Sequence, residues 1–142
     1  MQLLVWMAGW QMACCGTPFA TGAEVSWRLR PPTDVGWLAT VLPPVAGATV
    51  DAAEGCHLGA GATVDAVEDH HLGAGNPPTA GTVVSIATVH CRFDPEPVVR
   101  SGLLTPVAEA ERWNDDAAGR QFAGFLVRLR TAHDHGSRDL LP

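Results

Sequence analysis

Thiols and imidazoles are the side chains in this sequence best suited to chemistry. Cys14, Cys15, Cys56 and Cys91, with His57, His70, His71 and His90, supply the sulfur and neutral nitrogen donors that zinc prefers. Their spacing matches no standard site, because Cys-x-x-Cys, His-x-x-x-His and His-Glu-x-x-His are all missing. Adjacent side chains on a strand point to opposite faces, which separates His70 from His71 and His90 from Cys91. The set that folding could still gather is Cys14, Cys15, His70 and His71, with zinc as the candidate ion and no other cofactor expected. The alternative is plainer: Cys14 and Cys15 shape a turn, Cys91 fills core as a small hydrophobe, and the histidines sit in a wet loop. A nucleophilic reading would place Cys15 beside Gly16, with His71 as base and Glu68 as the orienting carboxylate. Nothing in the sequence shows that these three meet, and an enzyme is not the favoured reading.

Arginine offers a second kind of site. All nine basic residues are arginine, and the formal net charge is −6. Arg28 and Arg30 alternate along one strand-like segment, Arg128 and Arg130 along another. If those segments pair, four guanidinium groups form a stripe able to hold carboxylates or phosphates. The plainer alternative is a solvated sheet face balanced by Glu24. Trp6, Trp10, Trp27, Trp37 and Trp113 read as core, since aromatics contribute so much buried area. No Gly-x-Ser-x-Gly, phosphate loop or Gly-x-Gly-x-x-Gly occurs. The acidic balance argues against nucleic acid, whose non-specific affinity needs clustered positive charge.

A chain of 142 residues suits one domain. Hydrophobic residues make up 46% and charged residues only 17%, while 15 glycines and 11 prolines promise many turns. No apolar run reaches the ~18 residues of a membrane-spanning helix. The adjacent pair Cys14-Cys15 suits a secreted disulfide scaffold poorly, so reduced thiols and a cytoplasmic location are expected. The apolar N-terminus has no positive n-region and is broken at Gly9-Trp10-Gln11, unlike a signal peptide.

These residues need elements to hold them. Leu3 to Trp6 reads as a short buried strand, and Cys14 to Gly22 as a turn. Ala23 to Arg30 alternates cleanly, with Ala23, Val25, Trp27 and Leu29 on one face, as a half-buried strand does. Val35 to Leu42 predicts a two-turn helix capped by Thr33 or Asp34 and stopped by Pro43-Pro44. Gly81 to Phe93 predicts a long central strand with Val83, Ala87, Val89, Cys91 and Phe93 on one face and Val84, Ile86, Thr88, His90 and Arg92 on the other. Val107 to Trp113 is ambiguous and is read as one or two helical turns. Phe122 to Arg130 alternates Phe125, Val127 and Leu129 against Leu126, Arg128 and Arg130.

Residues 47–74 hold a tandem fourteen-residue duplication, from Gly47-Ala48-Thr49-Val50-Asp51 and again from Gly61-Ala62-Thr63-Val64-Asp65. Two copies are too few for a solenoid, so the unit reads as a duplicated loop or strand edge. Strands without regular intervening helices argue for a mainly β fold, α+β at its margin: a small antiparallel barrel or SH3-like sheet with one short helix and long loops. The globular domain is expected over 1–130 and a flexible tail over 131–142.

Four motifs run through most of the chain. They are Trp10-x-x-x-Cys14-Cys15-Gly16-x-Pro18-Phe19, then Glu68-Asp69-His70-His71, then Gly81-Thr82-Val83-x-Ser85-Ile86, and Gly124-Phe125-Leu126-Val127-x-Leu129. Together they resemble a family of uncharacterised actinobacterial proteins, a domain of unknown function. The resemblance carries no assigned activity, ligand or catalytic residue. The expectation is a non-catalytic binding or accessory module acting through a protein partner, with no membrane role; its alternative is a zinc-binding or thiol-reactive protein.

Overall fold

The computed structural model describes residues 1–42, 64–73 and 75–132. The fold is mostly β, a nearly closed barrel-like sheet with two short helices. Strand β1 (Gln2–Ala8) runs directly into helix α1 (Gly9–Cys15), followed by β2 (Phe19–Ala20), β3 (Glu24–Trp27) and β4 (Leu29–Arg30). Then come helix α2 (Trp37–Val41), β5 (Ala66–Glu68), β6 (Thr79–Cys91), β7 (Leu103–Val107), β8 (Glu109–Ala110) and β9 (Gln121–Thr131). The main sheet has the order β3-β6-β9-β1-β5-β4, with β7 also on β6, while β2 and β8 form a separate pair.

Closure comes from the segment that alternates most cleanly. Ala23 to Arg30 is broken at Arg28, and its halves pair with opposite ends of the sheet: β3 with β6, β4 with β5. The apolar face nevertheless stays together, since Val25, Trp27 and Leu29 all pack on one core cluster. Pairing is antiparallel except between β1 and β5, which run parallel.

Both faces of the central strands are covered, as their continuous apolar runs require. From β1, Leu4 and Trp6 join Val35, Leu38, Leu42 and Leu126 in one cluster. Val5 and Met7 join Met12, Phe19, Phe125, Val127 and Leu129 in the other. The period-two reading of β9 is therefore correct. That of β6 fails at a register irregularity between Val83 and Ser85. The extra residue shifts the pleat, so Val83 packs with Ile86 while Ala87 and Val89 face the opposite cluster.

Other expectations are corrected. Helix α1 occupies residues read partly as a turn, and buries Gln11 and Met12. Helix α2 is shorter than Val35–Leu42 and has Gly36 at its N-cap with no side-chain cap. Asp34, the proposed cap, is bound by Arg30 instead. Val107, Glu109 and Ala110 are strand rather than helix, with a bend at Ala108 between them. In the second copy of the duplication, Val64, Ala66, Val67 and Glu68 are buried, and β5 lies between β1 and β4 rather than at an edge. The first copy, residues 47–60, and the tail residues 133–142 lie outside the described residues. Gly124 allows one close approach: a Cβ there would sit 2.5 Å from the Met7 carbonyl oxygen and 2.6 Å from the Trp6 ring.

Candidate functional site

The motif Glu68-Asp69-His70-His71 leaves the end of β5 beside α1 and β4, and its side chains separate by environment. Gln11 holds the turn from beneath: its Nε2 donates to Asp69 Oδ1 (3.2 Å) and its Oε1 accepts from the His70 amide (3.3 Å). Asp69 Oδ1 also accepts the His71 amide (2.9 Å), and its Oδ2 accepts Arg30 Nε (3.1 Å). Arg30 in turn grips Asp34 with Nη1 (2.9 Å) and Nη2 (3.2 Å). Burial pushes the Asp69 carboxyl up, but hydrogen bonds from the His71 amide, Gln11 and Arg30 outweigh it and hold it low.

Glu68 has the opposite environment. It is 2% exposed, and its Oε1 has no hydrogen-bond partner. Burial, with the neighbouring Asp69 charge, pushes its carboxyl up to about 8. Its Oε2 lies 2.6 Å from Nδ1 of His70, close but not aligned as a hydrogen bond. Burial chiefly lowers the His70 pKa, helped by His71 and opposed by Asp69. Burial thus favours the neutral form of each group.

Two hollows flank this turn. The first, about 270 Å³, is walled by Trp6, Trp10, Trp37 and Phe93, with Glu68 and Arg30 among its polar lining. The Trp6 and Trp37 rings stand perpendicular, 90° apart with centroids at 5.6 Å. The second, about 470 Å³, shares Trp10 and Phe93 and adds Trp113, Phe122, Arg112 and Asp116. The expectation that all five tryptophans are core is corrected here, because Trp10 is 61% and Trp113 74% exposed.

Of the four candidate zinc ligands, the structure groups three. Ligand atoms of Cys14, Cys15 and His71 lie within 4.8 Å of one another, all on exposed residues. His71 stacks on Trp10 with centroids 5.7 Å apart. His70 is turned away, against Glu68, because the two histidines lie in the turn after β5 rather than on a strand. Cys14 and Cys15 are joined as a disulfide rather than carrying the reduced thiols expected. The assembly of Cys15, His71 and Glu68 does not form, since Glu68 meets the other histidine. His90 is buried, with Nε2 2.9 Å from the Asp115 carbonyl oxygen, and burial pushes the free Cys91 thiol up, away from reactivity. Cys56 and His57 fall outside the described residues.

The arginines do not sit on paired strands. β6 separates β3 from β9, and β4 lies at the far end of the sheet order. Arg28 Nε donates to the Asn76 carbonyl (3.0 Å), Arg30 is bound to Asp34 and Asp69, and Arg128 and Arg130 stand on β9 opposite Ser85 and Thr82. Gln11, Asp34 and the aromatic walls were not anticipated as a group. No sequence signal pointed to Gln11, because the helix that carries it was not read from the sequence.

A small β-barrel domain with an aromatic-walled surface beside a buried acid is what these elements define. The chain belongs to a family of unknown function (DUF6578), whose family model matches residues 1–131. No curated protein and no solved structure matches it. Among the described residues no helix is long and apolar enough to cross a membrane.

Proposed function

We propose that the chain is a non-catalytic binding module that recognises another protein through the aromatic face around Trp10. One observation carries this reading: Trp10 and Trp113 stand exposed on a single groove whose walls include Phe93 and Phe122. Indole rings offer a large contact area at low entropic cost, and binding energy concentrates on them. A contiguous apolar patch rimmed by polar groups, here Arg112 and Asp116, is the usual mark of an interaction surface. The net charge of −6 favours a neutral or basic partner and disfavours nucleic acid.

Differential capture tests it. The purified chain and its Trp10→Ala/Trp113→Ala variant, matched by circular dichroism, are used to retain proteins from a lysate of the source cells. The wild type is expected to hold at least one protein that the variant loses; identical captured sets overturn the proposal.

A second reading rests on the Cys14, Cys15 and His71 cluster. In a reducing compartment the disulfide would open to a dithiol, and two thiolates with one imidazole are donors suited to zinc. After reduction, about one equivalent of zinc should be retained by the wild type and by His70→Ala, and lost by Cys14→Ser. Less than about a tenth of an equivalent on the reduced wild type retires this reading.

A further inference from the structure

We propose that the hollow beneath Trp10 binds an organic cation through a fully methylated ammonium head, with Trp6, Trp10, Trp37 and Phe93 as walls and Glu68 as counter-ion. The proposal rests on the binding-module reading to the extent that Trp10 and Phe93 wall both hollows.

Aromatic faces attract cations through the ring quadrupole, and tryptophan does so best. Trp6 and Trp37 pack edge-to-face on each other at 5.6 Å, which fixes both indoles in the wall of this space. Glu68 adds the anion: it lines the hollow, is 2% exposed, and keeps Oε1 without a hydrogen-bond partner. A buried polar atom left unpartnered in a native fold calls for an explanation, and a ligand charge supplies one. Arg30 also lines the space, but its one positive charge is held between two carboxylates, Asp34 and Asp69. The polar lining is thus biased towards a cation.

The alternatives fit less well. An anion would need donors, and Nε, Nη1 and Nη2 of Arg30 are already engaged. A primary ammonium carries three N–H donors that each need an acceptor, whereas among the lining acceptors Asp34 is bound by Arg30 and Gln11 Oε1 takes the His70 amide, which leaves Glu68 Oε1. A fully methylated head has no donor to satisfy. At about 270 Å³ the space equals roughly nine water volumes, enough for a head group and less than a drug-sized ligand needs.

Tetramethylammonium chloride is titrated into the full chain at about pH 9, above the raised Glu68 pKa, with sodium chloride as the ionic-strength control. Tryptophan emission and calorimetry should both saturate. Glu68→Gln should weaken binding about tenfold, and Phe93→Ala, at an exposed wall, about threefold. Trp113→Ala should leave it unchanged. An absence of saturation, or unchanged affinity in both Glu68→Gln and Phe93→Ala, overturns the proposal. Choline and a trimethyllysine peptide with its unmethylated twin distinguish the source of the head. A gain of about tenfold for the methylated peptide over both points to a protein-borne group, and a preference for choline to a free metabolite. Failure of the protein-binding reading shows separately, as capture unaltered by Trp10→Ala/Trp113→Ala while ammonium binding persists in Trp113→Ala.

Discussion

Glu68 with His70, and Asp69 with His71, are the same two residue types one step apart, yet they behave as different materials. The first pair is enclosed, and burial drives both groups towards their neutral forms. The second lies at the surface: Asp69 is bound by Arg30 and Gln11, and His71 rests on an exposed indole. The difference arises where β5 ends at Glu68 and the chain turns, which leaves Glu68 inside and carries His71 out to Trp10. Burial raises both carboxyls, and the hydrogen bonds that Asp69 accepts and Glu68 Oε1 does not set them apart.

Four changes test that contrast. Gly124→Ala should have the largest effect, about 3 kcal/mol in urea unfolding, because its Cβ would strike the Met7 carbonyl and the Trp6 ring. It should disturb the enclosed side while leaving the Trp10–His71 stack in place, readable as retained quenching of Trp10 emission. Gln11→Ala should cost about 2 kcal/mol, because it strips partners from Asp69 and the His70 amide at once. Equal stability to wild type would show that the bridge holds neither side.

The third change is in pH. The Glu68 carboxyl is raised from 4.5 to about 8, so the folded chain keeps a proton that the unfolded chain releases. Stability must then fall as pH rises between those values and level off above the upper one. His70, whose pKa is lowered from 6.5, acts the other way, its contribution lost as pH falls below that value. The interval from 6.5 to about 8 therefore isolates Glu68. There the melting temperature should drop about 5 °C, and Glu68→Gln should flatten the slope. A flat wild-type profile would mean that water reaches the carboxyl. Smallest of all, His71→Ala should shift stability by less than about 0.5 kcal/mol while changing Trp10 emission.

Much of the scaffold was legible because period-two alternation reports a one-sided surface directly. Phe125, Val127 and Leu129 against Leu126 and Arg128 fixed β9, and Val25, Trp27 and Leu29 kept one face even across the break at Arg28. Alternation cannot announce a bulge, so the faces of β6 were misassigned beyond Val83. Helix α1 has seven residues, no side-chain cap and two terminal cysteines, and tertiary burial of Met12 rather than local propensity sustains it. For the site, Glu68-Asp69-His70-His71 stood out by composition alone. Which histidine joins the cysteines depends on where β5 ends and where α1 lies, both long-range facts. Trp10 and Trp6 look alike in sequence, and only packing separates a surface indole from a buried one.

The order of strands in the main sheet has a consequence for synthesis. Among the described residues β9 is the last strand in chain order, yet it sits between β6 and β1, joining the two halves of the ribbon. A nascent chain held on the ribosome before residue 131 lacks this keystone, so β1, paired only with β5, and β6, paired with β3 and β7, each keep one bare edge. Until β9 emerges, any factor that shields bare strand edges would have those two edges to act on.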